Sequence, residues 1–306
     1  MKSSYVKLIA SLILFGSNGI IAAHITLPSD AIVLLRTLIG SALMVCVLIA
    51  ARRLPACLPK GADLLYLAAS GAAMGASWIF LYEAYRLVGV GISSLAYYCA
   101  PIMVMILSPF LFKERLTFSN VVGFCTVLVG AVLVNAQTLD GGGSAWGMFC
   151  GWMSAIMHAA MVIFSKKADR VDGVASSALQ LVTSFFLVLL LMAWKGDLGF
   201  RVAPDEWGWI LTLGLINTGL GCYLYFSSFG GVSAQTVAVL GYLEPLSAVI
   251  LAAALLHESL APIQVVGGAL ILGGALFSES FARARLKSRP SITRAAPALR
   301  KPPRQG

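Results

Sequence analysis

The sequence predicts an all-α integral membrane protein: ten transmembrane helices in two inverted five-helix repeats, with N- and C-termini cytoplasmic. Three observations carry that expectation. The 306 residues are 59% hydrophobic and only 11% charged, whereas a soluble domain carries roughly a quarter charged residues. Apolar runs of about twenty residues recur along the chain, each long enough to cross the hydrocarbon core as a helix. A constant offset of 144 superposes the first half on the second, matching Pro101 to Pro245, Leu107 to Leu251, Glu114 to Glu258, Gly123 to Gly267 and Gly130 to Gly274. The alternating strands of about ten residues that build an outer-membrane barrel are absent.

Taken in order, the first five spans are Val6–Ala23, Ile32–Ala51, Leu64–Leu87, Ile92–Phe112 and Phe118–Asn135. The second five are Trp146–Ser165, Ala175–Trp194, Trp207–Phe229, Ser233–Leu256 and Ile263–Phe281. Lys2 and Lys7 ahead of an apolar run mimic a secretory signal, but nine further spans favour a first membrane helix. With the N-terminus inside, the cytoplasmic segments collect eighteen basic residues, eight of them from Arg283 onward. The outer segments hold only Arg86, Lys195 and Arg201, which fits the bias of basic residues toward the cytoplasm.

Five spans per half is an odd number, so the halves enter the membrane with opposite orientation. Secondary transporters commonly use such inverted repeats, with a substrate site at the repeat interface near the midplane. The predicted divisions are 1–138 for the first repeat, 139–282 for the second and 283–306 for a basic, disordered cytoplasmic tail. Asp140–Ser144 forms a short flexible joint. Of the net charge of +9, eight units come from that tail, which suits anionic lipid rather than nucleic acid. Six scattered cysteines without paired spacing read as small core residues, not as a disulfide frame or metal site. Gly123, Gly130, Gly267, Gly268, Gly273 and Gly274 allow close helix approach, within the monomer or across a homodimer.

Several short motifs carry a resemblance. Phe15-Gly16-Ser17-Asn18 resembles the Trp-Gly-Ser-Asn motif in the first helix of the EamA family, within the drug/metabolite transporter superfamily, with Phe replacing Trp. Arg36 sits where the second helix of that family usually carries Arg. Pro101 to Lys113-Glu114-Arg115-Leu116 is similar to its Pro-to-Gly-Glu-Arg-Leu segment, with Lys replacing Gly. Glu244-Pro245 to His257-Glu258-Ser259-Leu260 repeats it, with Ser replacing Arg. The resemblance covers nearly the whole chain except the tail. It implies ten-helix carriers whose cargoes include amino acids, other metabolites and drugs.

Polar groups inside apolar spans are the candidate substrate and coupling residues. Glu244 is the only charge in Ser233–Leu256, about eleven residues in, which is near the midplane at a rise of ~1.5 Å per residue. An ionised carboxylate there costs a few kcal/mol or more unless paired, protonated or wetted. It is a proton-coupling or substrate-cation site, or else a neutral carboxyl bonded to backbone that Pro245 loosens. Pro101 marks the equivalent hinge in the first half without the acid. His158 lies mid-span and either titrates near neutral pH or bridges helices as a neutral ring. Arg36 binds a substrate carboxylate, snorkels to the outer interface, or pairs with Glu83; Gln180 is its repeat mate. Trp78 and Tyr82, with Tyr85, form one helical stripe, and Tyr97, Tyr98, Tyr223 and Tyr242 add aromatic surface at the repeat interface. Glu83 with Arg86, and Glu114 and Glu258, read as local pairs or caps. Asn18 of the first-helix motif completes the set.

The functional expectation is a secondary active transporter of the inner membrane. It exports amino acids or related small amphipathic metabolites by rocking of the two halves, with proton coupling through Glu244 and His158. A facilitator or exchanger, or a drug-type efflux carrier, is the alternative. A membrane-embedded enzyme is weaker, because clustered acids for metal–diphosphate chemistry, HExxH and Walker motifs are absent; a channel is the remaining reading. No cofactor is expected.

Overall fold

Helix is the regular structure of the described residues, as a chain without water to satisfy its backbone demands. The computed structural model describes residues 2–22, 24–52, 59–114, 117–134, 144–256 and 262–287. Arg53, Cys57, Arg115, Leu116, the Asp140–Gly143 joint, His257–Leu260 and the tail beyond Lys287 lie outside them. The first half comprises α1 (Lys2–Gly16), α2 (Asn18–Ala22), α3 (Ser29–Ala50), α4 (Ala62–Tyr97), α5 (Ala100–Phe112) and α6 (Phe118–Val134). The second comprises α7 (Ala145–Lys167), α8 (Gly173–Lys195), α9 (Trp207–Leu211), a π-helical turn (Thr212–Leu220), α10 (Gly221–Ser228), α11 (Ala234–Gly241), α12 (Leu243–Leu256) and α13 (Pro262–Lys287).

Seven helical stretches are long and apolar enough to cross a membrane: Ser3–Ala22, Ser29–Ala50, Ala62–Val88, Ala145–Lys167, Gly173–Lys195, Pro204–Gly231 and Ala234–Leu255. Three shorter apolar helices, Ala100–Phe112, Phe118–Leu133 and Pro262–Ser278, accompany them. The burial pattern is that of a protein in lipid. Large apolar side chains point outward, with Phe110 80% and Trp194 85% exposed, while Ser70, Ser77, Ser154 and Gln180 are buried between helices.

Predicted and observed spans differ where chemistry interrupts the helix. The first span breaks at Ser17, and the opened carbonyl of Leu14 accepts from Asn217 Nδ2 at 2.8 Å. The ninth span breaks at Tyr242, so Pro245 falls in the first turn of α12, where its missing N–H would be an orphan anyway. Pro101 sits likewise at the start of α5, after a break at Tyr98-Cys99. Within α5, Pro109 leaves the Met105 carbonyl without its helical donor, and Ser108 Oγ donates to it at 3.1 Å. α13 continues to Lys287, past the predicted start of the tail, since Ala, Arg, Leu and Lys all favour helix.

The backbone of α4 is helical from Ala62 to Tyr97, across the predicted gap between the third and fourth spans, yet its contacts with α7 reverse direction. Ser70 bonds Met161, Ser77 bonds Ser154 and Val88 meets Gly147, an antiparallel run. Beyond that, Ala96 meets Gly151 and Tyr97 meets His158, so the chain has doubled back along α7.

The halves interleave rather than sit side by side. α1 packs on α10 and α12, α7 on α4 and α5, α3 on α8, α5 on α11, and α6 on α13. In the last seam a Cβ on Gly123 would lie 2.7 Å from the Gly274 carbonyl oxygen, and one on Gly130 would lie 2.6 Å from that of Gly267. Gly123 thus meets the repeat mate of Gly130, and Gly130 meets the repeat mate of Gly123. That reciprocal, antiparallel contact is what two repeats related by a pseudo-two-fold axis produce. It also places these four small residues inside the monomer.

Candidate functional site

A cavity lies at the seam between the halves. Its wall takes Leu12, Phe15 and Asn18 from the first span, Arg36 from α3, Trp78 and Tyr97 from α4, and Pro101 from α5. The second half contributes His158, Cys222, Tyr225, Ala238 and Glu244. Eight of the residues singled out by sequence therefore share one space: Asn18, Arg36, Trp78, Tyr97, Tyr98, Pro101, His158 and Glu244. The wall is otherwise apolar and aromatic, the usual composition of a small-molecule site with a few convergent polar groups.

Glu244 stands in the first turn of α12, directly after the break at Tyr242. The backbone around it is tightly held: Ser247 Oγ donates to the Glu244 carbonyl at 2.8 Å, and Gly16 lets α1 pass close by. Its carboxyl group makes no hydrogen bond or ion pair among the described residues. It is thus available to whatever enters the cavity. His158 Nδ1 lies 2.7 Å from Tyr97 Oη, with the rings edge to face, so the histidine bridges α7 and the far end of α4 while facing the cavity.

Arg36 neither snorkels nor pairs with Glu83. It is 3% exposed, its Nε donates to Thr218 Oγ1 at 2.9 Å, and its Cζ stands 4.3 Å from the centre of the Trp78 ring. Glu83 pairs with Arg86 at 2.6 Å. Asn18 is held by the same stretch of the second half, because Asn217 Nδ2 donates to its Oδ1 at 3.0 Å and to Ser17 Oγ at 2.8 Å.

Three singled-out residues stand off the wall. Tyr82 flanks Arg36, with its hydroxyl 3.5 Å from Nη1. Tyr242 is fully buried and donates from its hydroxyl to the Tyr98 carbonyl at 2.7 Å. Gln180 is locked among serines: Ser70 Oγ donates to its Oε1 at 2.5 Å, and its Nε2 donates to Ser176 Oγ at 2.9 Å. Repeat symmetry put Gln180 at Arg36's depth, but in the second half that position became a packing knot between α4, α7 and α8. Conversely, Thr218, Asn217 and Tyr225 carry or line the site without a sequence signal of their own. Outside the cavity the local Glu83–Arg86 pair is present, whereas Glu114 caps a helix of the other half, accepting from the backbone N–H groups of Ala234 and Gln235 at 2.9 and 3.2 Å; Glu258 lies outside the described residues.

Several curated proteins similar to this chain are named as transporters. A model of the EamA-like transporter family matches residues 2–136 and 145–279, one match on each half. Among curated relatives, "Uncharacterized transporter YxxF" of Bacillus subtilis (strain 168) is 23% identical over 256 residues, covering 81% of this chain and 80% of its own. "Probable amino-acid metabolite efflux pump" of Salmonella typhimurium (strain LT2) is 27% identical over 212 residues, covering 66% and 71%. A solved crystal structure 19% identical in sequence superposes with a TM-score of 0.81 over 92% of this chain and 99% of that one, which is a likeness of fold. With both halves matched by one family model, the chain belongs to the EamA-like transporter family and is a multi-pass membrane protein.

Proposed function

We propose that this chain is a secondary active transporter of the inner membrane that exports amino acids or related small amphipathic metabolites. Ten helices cross the bilayer with both termini cytoplasmic, in repeats bounded at 1–138 and 139–282 and followed by the basic tail. Transport proceeds by alternating access: the two halves rock about the breaks at Pro101 and Pro245 and expose the cavity to one side at a time. Glu244, assisted by His158, carries the coupling proton.

The observation that supports this reading most directly is the cavity itself. It lies where the repeats meet, its wall is largely apolar and aromatic, and it holds a carboxyl group without a hydrogen bond or ion pair among the described residues, beside a helix break. A carboxylate in that setting is stable only with a proton, a cation or water, which is the property a coupling group needs. The name of the Salmonella relative, an amino-acid metabolite efflux pump, supports the cargo class.

The test is flux of a labelled amino-acid panel into liposomes, with and without an imposed pH gradient, for the wild type and Glu244→Gln. Saturable flux that the gradient accelerates, and that loses this response in the variant, is expected. Gradient-driven flux that survives in Glu244→Gln would remove Glu244 from coupling. Saturable flux indifferent to the gradient in both proteins would make the chain a facilitator or exchanger.

A further inference from the structure

A guanidinium carries five N–H donors and keeps its charge in any protein. Buried without an ion-pair partner it is a costly group. Arg36 has none among the described residues. Its Nε bonds Thr218, its Nη1 reaches the Tyr82 hydroxyl at 3.5 Å, and its Nη2 is buried with no hydrogen-bond partner among the described residues. Both acceptors are neutral hydroxyls. Glu244 lines the same cavity within electrostatic reach of Arg36 but forms no ion pair with it.

The fold invests a distinct backbone feature in holding that cation. Nine residues, Thr212–Leu220, are wound as a π-helix, a form that is rare and concentrated at functional sites. Within it the Thr218 hydroxyl donates to the Leu213 carbonyl, five residues back, at 2.8 Å, and so turns its acceptor side to Arg36 Nε. The neighbouring Asn217 faces the other way and grips the first span. Trp78 covers one face of the guanidinium. The plane of the group is thereby fixed, while Nη2 stays unfilled and Nη1 has the long contact to Tyr82.

We propose that Arg36 is the receptor for a carboxylate on the cargo, and that Thr218 is the positioning residue that presents it. This rests on the transporter reading of the cavity and narrows it: the cargo is a small molecule with an apolar body and a carboxylate, and a plain amine is a poor ligand. A carboxylate accepts two parallel N–H bonds from a guanidinium. It completes the fork at Nη1 and Nη2 and supplies the direct ion pair that no described side chain makes. Glu244 remains free to meet a proton or an ammonium group.

The experiment measures binding by calorimetry on the full chain in lipid nanodiscs, with three probes that share one isobutyl body. Leucine carries both charges, 4-methylpentanoate only the carboxylate, and isopentylamine only the ammonium. Both carboxylates are expected to bind saturably, and the amine about tenfold or more weaker, the scale on which a buried charged partner is missed. Arg36→Gln abolishes the difference between acid and amine. If that variant does not fold, Thr218→Val weakens the two carboxylates by about tenfold and leaves the amine unchanged, while Thr218→Ser restores them. Amine binding equal to acid binding, carboxylate affinities unchanged in Thr218→Val, or no saturable carboxylate binding would each overturn the assignment. Liposome flux separates the two readings: binding without flux of any ligand retains the receptor and removes the transporter, and flux of amines or neutral compounds without carboxylate binding does the reverse.

Discussion

Gly16 shows how little room the seam leaves at the level of one residue. A Cβ there would lie 2.8 Å from the Ala248 nitrogen and 2.9 Å from the Glu244 carbonyl oxygen, both backbone atoms that cannot swing away. Gly16→Ala is therefore expected to push α1 off α12, costing about 1–3 kcal/mol as overpacking does, and to displace Glu244 with it. A drop of several degrees in the thermal midpoint of the detergent-solubilised protein, with weaker cargo binding, is the expected reading; Gly19→Ala, with open space around it, is the control. A Gly16→Ala protein as stable and as tight as the wild type would mean that the α1–α12 contact is looser than described. At this scale the sequence is legible where a charge interrupts an apolar run: Glu244, Arg36 and His158 each stand out because burying them is expensive. Thr218, Asn217 and Tyr225 do not stand out. Hydroxyl, amide and phenol groups occur in membrane helices at small cost, and nothing in the string Thr-Leu-Gly-Leu-Ile-Asn-Thr-Gly-Leu announces a π-turn.

The elements explain why the broken ninth span holds together. α11 is only eight residues long, too short to be stable by itself, and its first N–H groups are all claimed. The Glu114 carboxylate accepts from Ala234 and Gln235, and Ser233 Oγ accepts from Thr236 at 3.0 Å. Glu114 belongs to the first repeat and α11 to the second, so this cap is also a tie across the seam. The adjoining connection is tied as well, by Lys166 Nζ donating to the Phe229 and Val232 carbonyls at 2.5 and 2.7 Å. Glu114→Ala removes two charge-assisted bonds at a helix N-terminus and is expected to cost about 1–2 kcal/mol. Glu114→Gln, which keeps one side-chain acceptor, is expected to lose less. Thermal unfolding of the two variants checks the order; equal midpoints for Ala, Gln and wild type would show that the cap contributes nothing. Spans are legible from hydrophobic length alone, because the bilayer sets that length. Their interruptions are not, since the Leu14 carbonyl beside the break at Ser17 and the Tyr98 carbonyl at the break before α5 are satisfied by side chains of the opposite repeat, Asn217 and Tyr242.

The pseudo-two-fold relation makes a prediction about the whole molecule. Tyr98 and Tyr242 are repeat mates, 144 residues apart, and they touch: Tyr242 donates its hydroxyl to the Tyr98 carbonyl. Two such groups can lie against each other only where the pseudo-axis passes. Yet they are not equivalent, for Tyr242 is fully buried while Tyr98 is half-buried and lines the cavity. The cavity thus lies on one side of the axis. Under the proposed rocking motion, the other access state exchanges the roles of the halves, so that Tyr98 becomes the buried donor and the Tyr242 carbonyl the acceptor. Tyr242→Phe deletes a bond of the present state and should bias the equilibrium toward the other. With a neutral hydrogen bond worth about 1 kcal/mol net, it should shift the ratio of states by about fivefold. A single cysteine replacing Ala238 in the cavity wall, in a chain otherwise free of cysteine, reports that ratio through its labelling by an impermeant maleimide in sided vesicles. Slower labelling in Tyr242→Phe from the face to which the present cavity opens, and faster labelling from the opposite face, is the expected pair. Labelling changed in the same sense from both faces would mean that the hydroxyl only stabilises the fold, and that access does not alternate by exchange of the repeats.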